Sequence, residues 1–144
     1  MRRGCAIEGN NGPHGHQDTP ARNTAHWLII YSYAYKVTKC DDYLKLCVKL
    51  ADYLIGLHKQ SESGAVICMK DSQYNHINGL MGQAWIVEAL VYFYRIINDE
   101  KYYLAAYNIY NVQKYCKKEK MWKMVEINGE NLGYDYTFNH QLWF

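Results

Sequence analysis

Trp27, Trp85 and Trp143 stand 58 residues apart, each in a similar setting: Asn23-Thr24-Ala25-His26-Trp27-Leu28, Met81-Gly82-Gln83-Ala84-Trp85-Ile86 and Asn139-His140-Gln141-Leu142-Trp143-Phe144. A second correspondence runs one residue out of step, from Tyr35-Lys36-Val37 to Asp42-Tyr43-Leu44 and from Tyr94-Arg95-Ile96 to Lys101-Tyr102-Tyr103. Self-similarity at this period means stacked supersecondary units, none of which buries its apolar face alone.

Each unit reads as two helices. The first is apolar nearly all round: no Asp, Glu, Lys or Arg occurs from Asn23 to Tyr35, and only Glu88 from Asn78 to Tyr94. Such a helix is expected to be buried on every side. The second is amphipathic. Within Asp41–Leu57, Leu44, Cys47, Val48, Ala51, Leu54 and Ile55 form one face, with Lys45, Lys49 and Asp52 opposite. Glu100–Lys117 is its counterpart. Thr19-Pro20 reads as an N-cap followed by proline at the first helical position, Asp41 as the cap of the second helix, and Asn98-Asp99 as the break before the fourth. Ala65–Met69 and Met121–Ile127 read as short extended pieces, the latter followed by the turn signal Asn128-Gly129. The expected architecture is all-α: a loop over 1–18, hairpins over 19–57 and 78–117, and the start of a third at 137–144, with β-hairpin excursions between pairs.

Composition narrows the function classes. Of 144 residues nearly half are apolar, so the chain can build a core, and a net charge of +2 predicts no attraction to nucleic acid. No apolar run reads as membrane-spanning. The five cysteines, Cys5, Cys40, Cys47, Cys68 and Cys116, are odd in number and lack a C-x-x-C spacing, which predicts free, mostly buried thiols and a cytoplasmic location by default. Fifteen Tyr against three Phe suit walls that are half wet, although packing between helices accounts for most of them.

Alternating inner and outer helices with aromatic-rich inner starts resemble the six-hairpin glycosidase-like superfamily, whose members are (α/α)6 toroids. The residues that carry the resemblance run from Thr19 to Trp27, from Asn78 to Leu90 and from Thr137 to Trp143. The resemblance implies a partial toroid and a carbohydrate ligand at the mouth of the barrel, near the inner-helix N-termini. A complete ring at this period takes about 350 residues, so the chain is expected to be about two and a half hairpins of one.

Polar residues gather at the inner-helix starts. Asp18, His76 and Asp135 fall within one residue of repeat equivalence, and with His140 they are the acid–base candidates. Arg22 is the candidate clamp for a uronate carboxylate, which helix N-termini also favour. Asn23, His26, Asn78, Gln83 and Asn139 are candidate sugar contacts, and Trp27 and Trp85 are packing or stacking rings. Capping and turn satisfaction explain any one of these polar residues equally well; the case rests on the set. His26, one turn inside an apolar helix, also fits a paired core histidine. Glu88 reads either as an acid on a cavity floor or, being deep, as a link to a Tyr hydroxyl or Trp indole. His14-Gly15-His16 has the form of a metal motif, but no strand is expected ahead of it, so no metal or cofactor is expected. Lys117-Lys118-Glu119-Lys120 reads as a solvated turn.

The reading that follows is a carbohydrate-active domain of hydrolase, lyase or epimerase type, taking a uronic-acid-containing oligosaccharide or polysaccharide. The alternative is a non-catalytic α/α scaffold that binds protein. Inner helices apolar all round also predict self-association of the isolated chain. Sedimentation velocity is expected to give species larger than a monomer; a well-packed monomer at all concentrations contradicts this.

Overall fold

The computed structural model describes residues 4–7, 10–11, 16–70 and 75–144. Five helices follow in order: α1 (Ala21–Thr38), α2 (Asp41–Gln60), α3 (Gly79–Ile97), α4 (Glu100–Val112) and α5 (Phe138–Trp143). Ahead of them, β1 (Asn10–Asn11) pairs antiparallel with β2 (His16–Gln17). Between α4 and α5, β3 (Lys114–Cys116), β4 (Met121–Val125) and β5 (Asn131–Tyr134) make an antiparallel sheet in that order. The fold is therefore mostly helical with a small three-stranded sheet.

The helices pair as the sequence pattern requires. α1 packs on α2, α3 on α4, and α1 on α3. Leu28 of α1, Leu50 and Leu54 of α2, Ile86, Leu90 and Phe93 of α3, and Tyr102 and Ile109 of α4 interlock in one core. The Phe93 and Tyr102 rings meet at 4.8 Å. Both inner helices end on a left-handed residue, Lys39 and Asn98, whose N–H returns to Tyr35 O and Tyr94 O. This cap reverses the chain into the outer helix within a few residues.

Several expectations need correction. The N-terminal 18 residues are not merely a loop, since β1 and β2 pair within them, and His16 lies in β2 itself; His14 and Gly15 lie outside the described residues. α4 stops at Val112, not Lys117, because Lys114, Tyr115 and Cys116 pair with Lys123, Trp122 and Met121 of β4. Asp41 is the first residue of α2 rather than its cap; Cys40 holds that place without a side-chain bond. At α1, Pro20 takes the cap position, while Thr19 Oγ1 accepts the Ala21 N–H at 3.2 Å. Only Cys47 and Cys68 of the five free thiols are buried. α3 is in fact long and apolar enough to cross a bilayer by length and composition, but half of that stretch is buried in the protein, as in a core helix.

α1 is not buried all round. His26, Trp27, Ile30, Tyr33 and Val37 are exposed, because α2 and α3, the two helices that pack most closely on α1, leave this face open. Trp27 is 43% exposed and stacks on Tyr31 at 5.3 Å, so it is no core anchor. Trp85 is half-buried. α5 has no buried residue, and Phe138, Leu142 and Trp143 are exposed.

The start of α3 lies close against the segment that leads into it. A Cβ on Gly82 would lie 2.1 Å from Ile77 O and 3.0 Å from Cys68 Sγ. Gly82→Ala is expected to lower stability by about 2–3 kcal/mol through overpacking, against a helix-propensity gain of about 1 kcal/mol. Gly56→Ala in α2, where a Cβ meets nothing within 4 Å, is expected to stabilise by about 0.5–1 kcal/mol. Urea melts of the two variants check the pair.

Candidate functional site

The site is built at the end where the inner helices begin. Asp18, His76 and Asp135 each stand three residues ahead of an inner helix, those starting at Ala21, Gly79 and Phe138. Backbone hydrogen bonds draw the first two together through the extended segment 65–70. Asp18 bridges Met69, Thr19 N–H donates to Cys68 O at 2.9 Å, and Cys68 N–H donates to His76 O at 2.7 Å. The His76 N–H then donates to Glu126 Oε2 at 2.8 Å, just beyond β4. Asp135 Oδ2 accepts the Leu80 N–H at 3.0 Å, which brings the lead-in to α5 onto the N-terminus of α3.

Each acid–base candidate has a partner close by: Arg22 for Asp18, Glu126 for His76, and Asp135 and His140 for each other. Asp18 is 2% exposed, and Arg22 Nη2 lies 2.7 Å from its Oδ2, one turn into α1. Burial pushes the Asp18 carboxyl up, with Arg22 pulling the other way. Its Oδ1 is buried with no hydrogen-bond partner among the described residues. Arg22 is thus a paired cation and not a free clamp, although its guanidinium also reaches over the Trp85 ring, 5.7 Å from the centroid. His76 Nδ1 lies 3.7 Å from the buried Glu126 carboxylate.

Asp135 and His140 are brought together directly. His140 Nδ1 is 2.8 Å from Asp135 Oδ2, and Asp135 Oδ1 accepts the Thr137 N–H at 3.0 Å. Burial raises the Asp135 carboxyl, but the Leu80 and Thr137 donors and His140 outweigh it and hold the group below the usual carboxylate range. Gly79 makes this contact sterically feasible: at φ +59° a Cβ would stand 2.8 Å from Asp135 Oδ2 and 3.1 Å from His140 Nδ1. The His140 side chain keeps 24% of its surface exposed, and its Nε2 has no partner among the described residues. An imidazole oriented by a carboxylate at one nitrogen and open at the other is the arrangement of a general base.

The remaining candidates divide. His26 is exposed and meets Trp85 edge-on at 5.6 Å. Partial desolvation of its ring against Trp85 and the Arg22 charge lower its pKa, with Glu88 opposing. Asn23 Nδ2 donates to Ile7 O at 2.9 Å and pins the segment 4–7. Asn78 is the left-handed residue ahead of α3, and Asn139 is exposed on α5. Gln83 is not available to a ligand. It is fully buried, its Oε1 accepting the Val66 N–H at 2.8 Å and its Nε2 donating to Val66 O and Ile77 O. Glu88, expected deep, is exposed. A cavity of about 610 Å³ beside His58, Asn111 and Lys114 lies on the outer helices, and none of the acid–base candidates lines it.

The chain is 35% identical over 141 residues to the archaeal glycosylation protein Q of Haloferax volcanii. That match covers 98% of this chain but 38% of the relative, so the chain spans well under half the length of the protein it resembles. No family model matches the chain, and no solved structure matches it at a significant level.

Sequence reasoning missed Glu126. It is buried, with Oε1 accepting the Ile127 N–H at 2.8 Å and Oε2 the His76 N–H. The only signal was an acid between an apolar strand and a turn, which does not reveal a contact fifty residues away.

The Asp135 interactions carry a pH signature. A carboxyl held low in the folded state adds stability that is present above its unfolded pKa of about 3.9 and is lost as pH falls through the lower folded value. Asp135→Asn is therefore expected to lower the melting temperature at pH 7 and to shrink the gap to wild type below about pH 4. Thermal melts by circular dichroism across pH 2.5–7 check it; a gap constant with pH contradicts it.

Proposed function

We propose that this chain is the portion of an (α/α) toroid that carries part of a carbohydrate-active site, and that the site takes a uronic-acid-containing oligosaccharide. The observation that supports this most is the Asp135–His140 pair at the N-terminus of α3, with Nε2 of the imidazole open. The similarity to a glycosylation protein supports a carbohydrate-related role. The helix pairs and the starts of α1 and α3, 58 positions apart, support the toroid.

In this reading His140 Nε2 takes or returns a proton at an attacking water, the glycosidic oxygen or a ring carbon, and Asp135 holds the imidazole in the tautomer that leaves Nε2 as acceptor. Arg22, balanced by Asp18 at 2.7 Å, meets the uronate with the part of its guanidinium that Asp18 does not occupy. Asp18, raised by burial and with one oxygen unpartnered, donates or accepts at a ligand hydroxyl. His76 is set against Glu126 at the edge of the same end. Hydrolysis, elimination and epimerisation all need this proton transfer; the site chemistry common to them is acid–base.

The test is titration of the protein with trigalacturonate and with maltotriose, followed by Trp fluorescence. Arg22→Ala is expected to weaken the acidic sugar about tenfold, or about 1.4 kcal/mol, while changing the neutral one much less. In the presence of turned-over substrate, His140→Gln is expected to lower the rate about 10²–10⁴-fold with binding retained. Equal loss for both sugars in Arg22→Ala makes Arg22 structural and removes the uronate assignment.

A further inference from the structure

Glu88 is the one charged residue of α3 between its start and Arg95. A carboxylate in the middle of an apolar helix must be paired, neutralised or open to water. It is exposed, and among the described residues it makes no ion pair or hydrogen bond. It lines a cavity of about 290 Å³ between α3, α4 and α5, with Tyr110, Trp143 and Phe144 as aromatic wall and Val87 and Val91 beside it. Tyr110 and Phe144 stack at 5.2 Å, so two of these rings brace each other.

Its position relative to the site follows from helix geometry. Trp85 and Glu88 are three residues apart on one face of α3, about 4.5 Å along the axis. Opposite them, Arg22 and His26 are one turn apart on α1, and both contact the Trp85 ring. The Glu88 charge is felt at His26. Arg22, Trp85 and Glu88 therefore descend in that order from the inner-helix starts.

We infer that Glu88 and the Trp143–Tyr110 wall form a second sugar subsite, which holds a neutral pyranose ring through two adjacent hydroxyls while the neighbouring uronate is held at Arg22. A carboxylate accepts two parallel O–H donors and these bonds are charge-assisted. The aromatic wall takes the apolar face of the ring. The volume is at the small end of ligand pockets, about 300–1,000 Å³, which suits one ring and not a chain. A carboxylate also repels a second uronate, so the subsite selects a neutral unit next to an acidic one. The order of rings along the groove rests on the uronate reading above; the subsite itself does not.

The experiment is calorimetric titration of the whole chain with three probes: a glucuronosyl-glucose disaccharide, glucuronate alone and cellobiose. The wild-type protein is expected to bind the disaccharide more tightly than glucuronate. Glu88→Ala and Glu88→Gln are expected to weaken the disaccharide and cellobiose about tenfold or more, as loss of charged-acceptor hydrogen bonds does, and to leave glucuronate unchanged. Trp143→Ala is expected to weaken the same two probes. Because both side chains are exposed, the variants should keep the wild-type melting temperature. Unchanged affinity for the disaccharide and cellobiose in both Glu88 variants overturns the subsite. If glucuronate does not bind while Glu88-dependent cellobiose binding persists, the uronate reading falls and the subsite stands. Absence of binding by every probe overturns both.

Discussion

The buried amide of Gln83 ties the crossover between the two helix pairs to the helix that follows it. Its oxygen and nitrogen together satisfy both backbone groups of Val66, and the nitrogen also reaches Ile77 O. These are peptide groups of fully buried residues, where an unmet donor or acceptor costs about 1–3 kcal/mol each. With the crossover held extended, Cys68 and Met69 can take up Thr19, Asp18 and His76. The relative placement of the α1 and α3 starts depends on that chain of contacts. Gly82, pressed against Ile77 O, lets the helix come close enough for the amide to reach.

The same end of α3 then serves a second purpose. Leu80 N–H, an orphan donor of the first helical turn, points at Asp135, and Asp135 in turn fixes His140. A helix start thus supplies part of the electrostatics that keep a carboxylate ionised beside an imidazole. Two glycines three residues apart make the contacts sterically feasible, one for the crossover and one for the Asp–His pair.

The α1 face with Trp27, Ile30, Tyr33 and Val37 and most of α5 carry large apolar side chains into solvent. The relative is longer than this chain, which matches 38% of it. Within this chain, Arg22 and His26 of α1 both meet the Trp85 ring of α3.

The sequence by itself determined the helix pairs, the period and the positions of the polar helix starts. Those depend on hydrophobic periodicity, glycine and turn residues, which act within a few positions of chain. It also placed Asp18, His76 and Asp135 in equivalent positions, because the repeat spacing is a property of the string. Only the tertiary structure decided which partner each one takes. The Asp135–His140 contact is local enough to be read as a candidate, but His76 with Glu126, and Gln83 with Val66, join segments far apart in sequence, and no local pattern shows which of them meet. Burial could not be read for the same reason. Glu88 and Trp27 lie on apolar helices, yet a helix pattern says how apolar a face is and not whether another element covers it; in this chain nothing described covers the α1 face, and Glu88 opens onto a cavity.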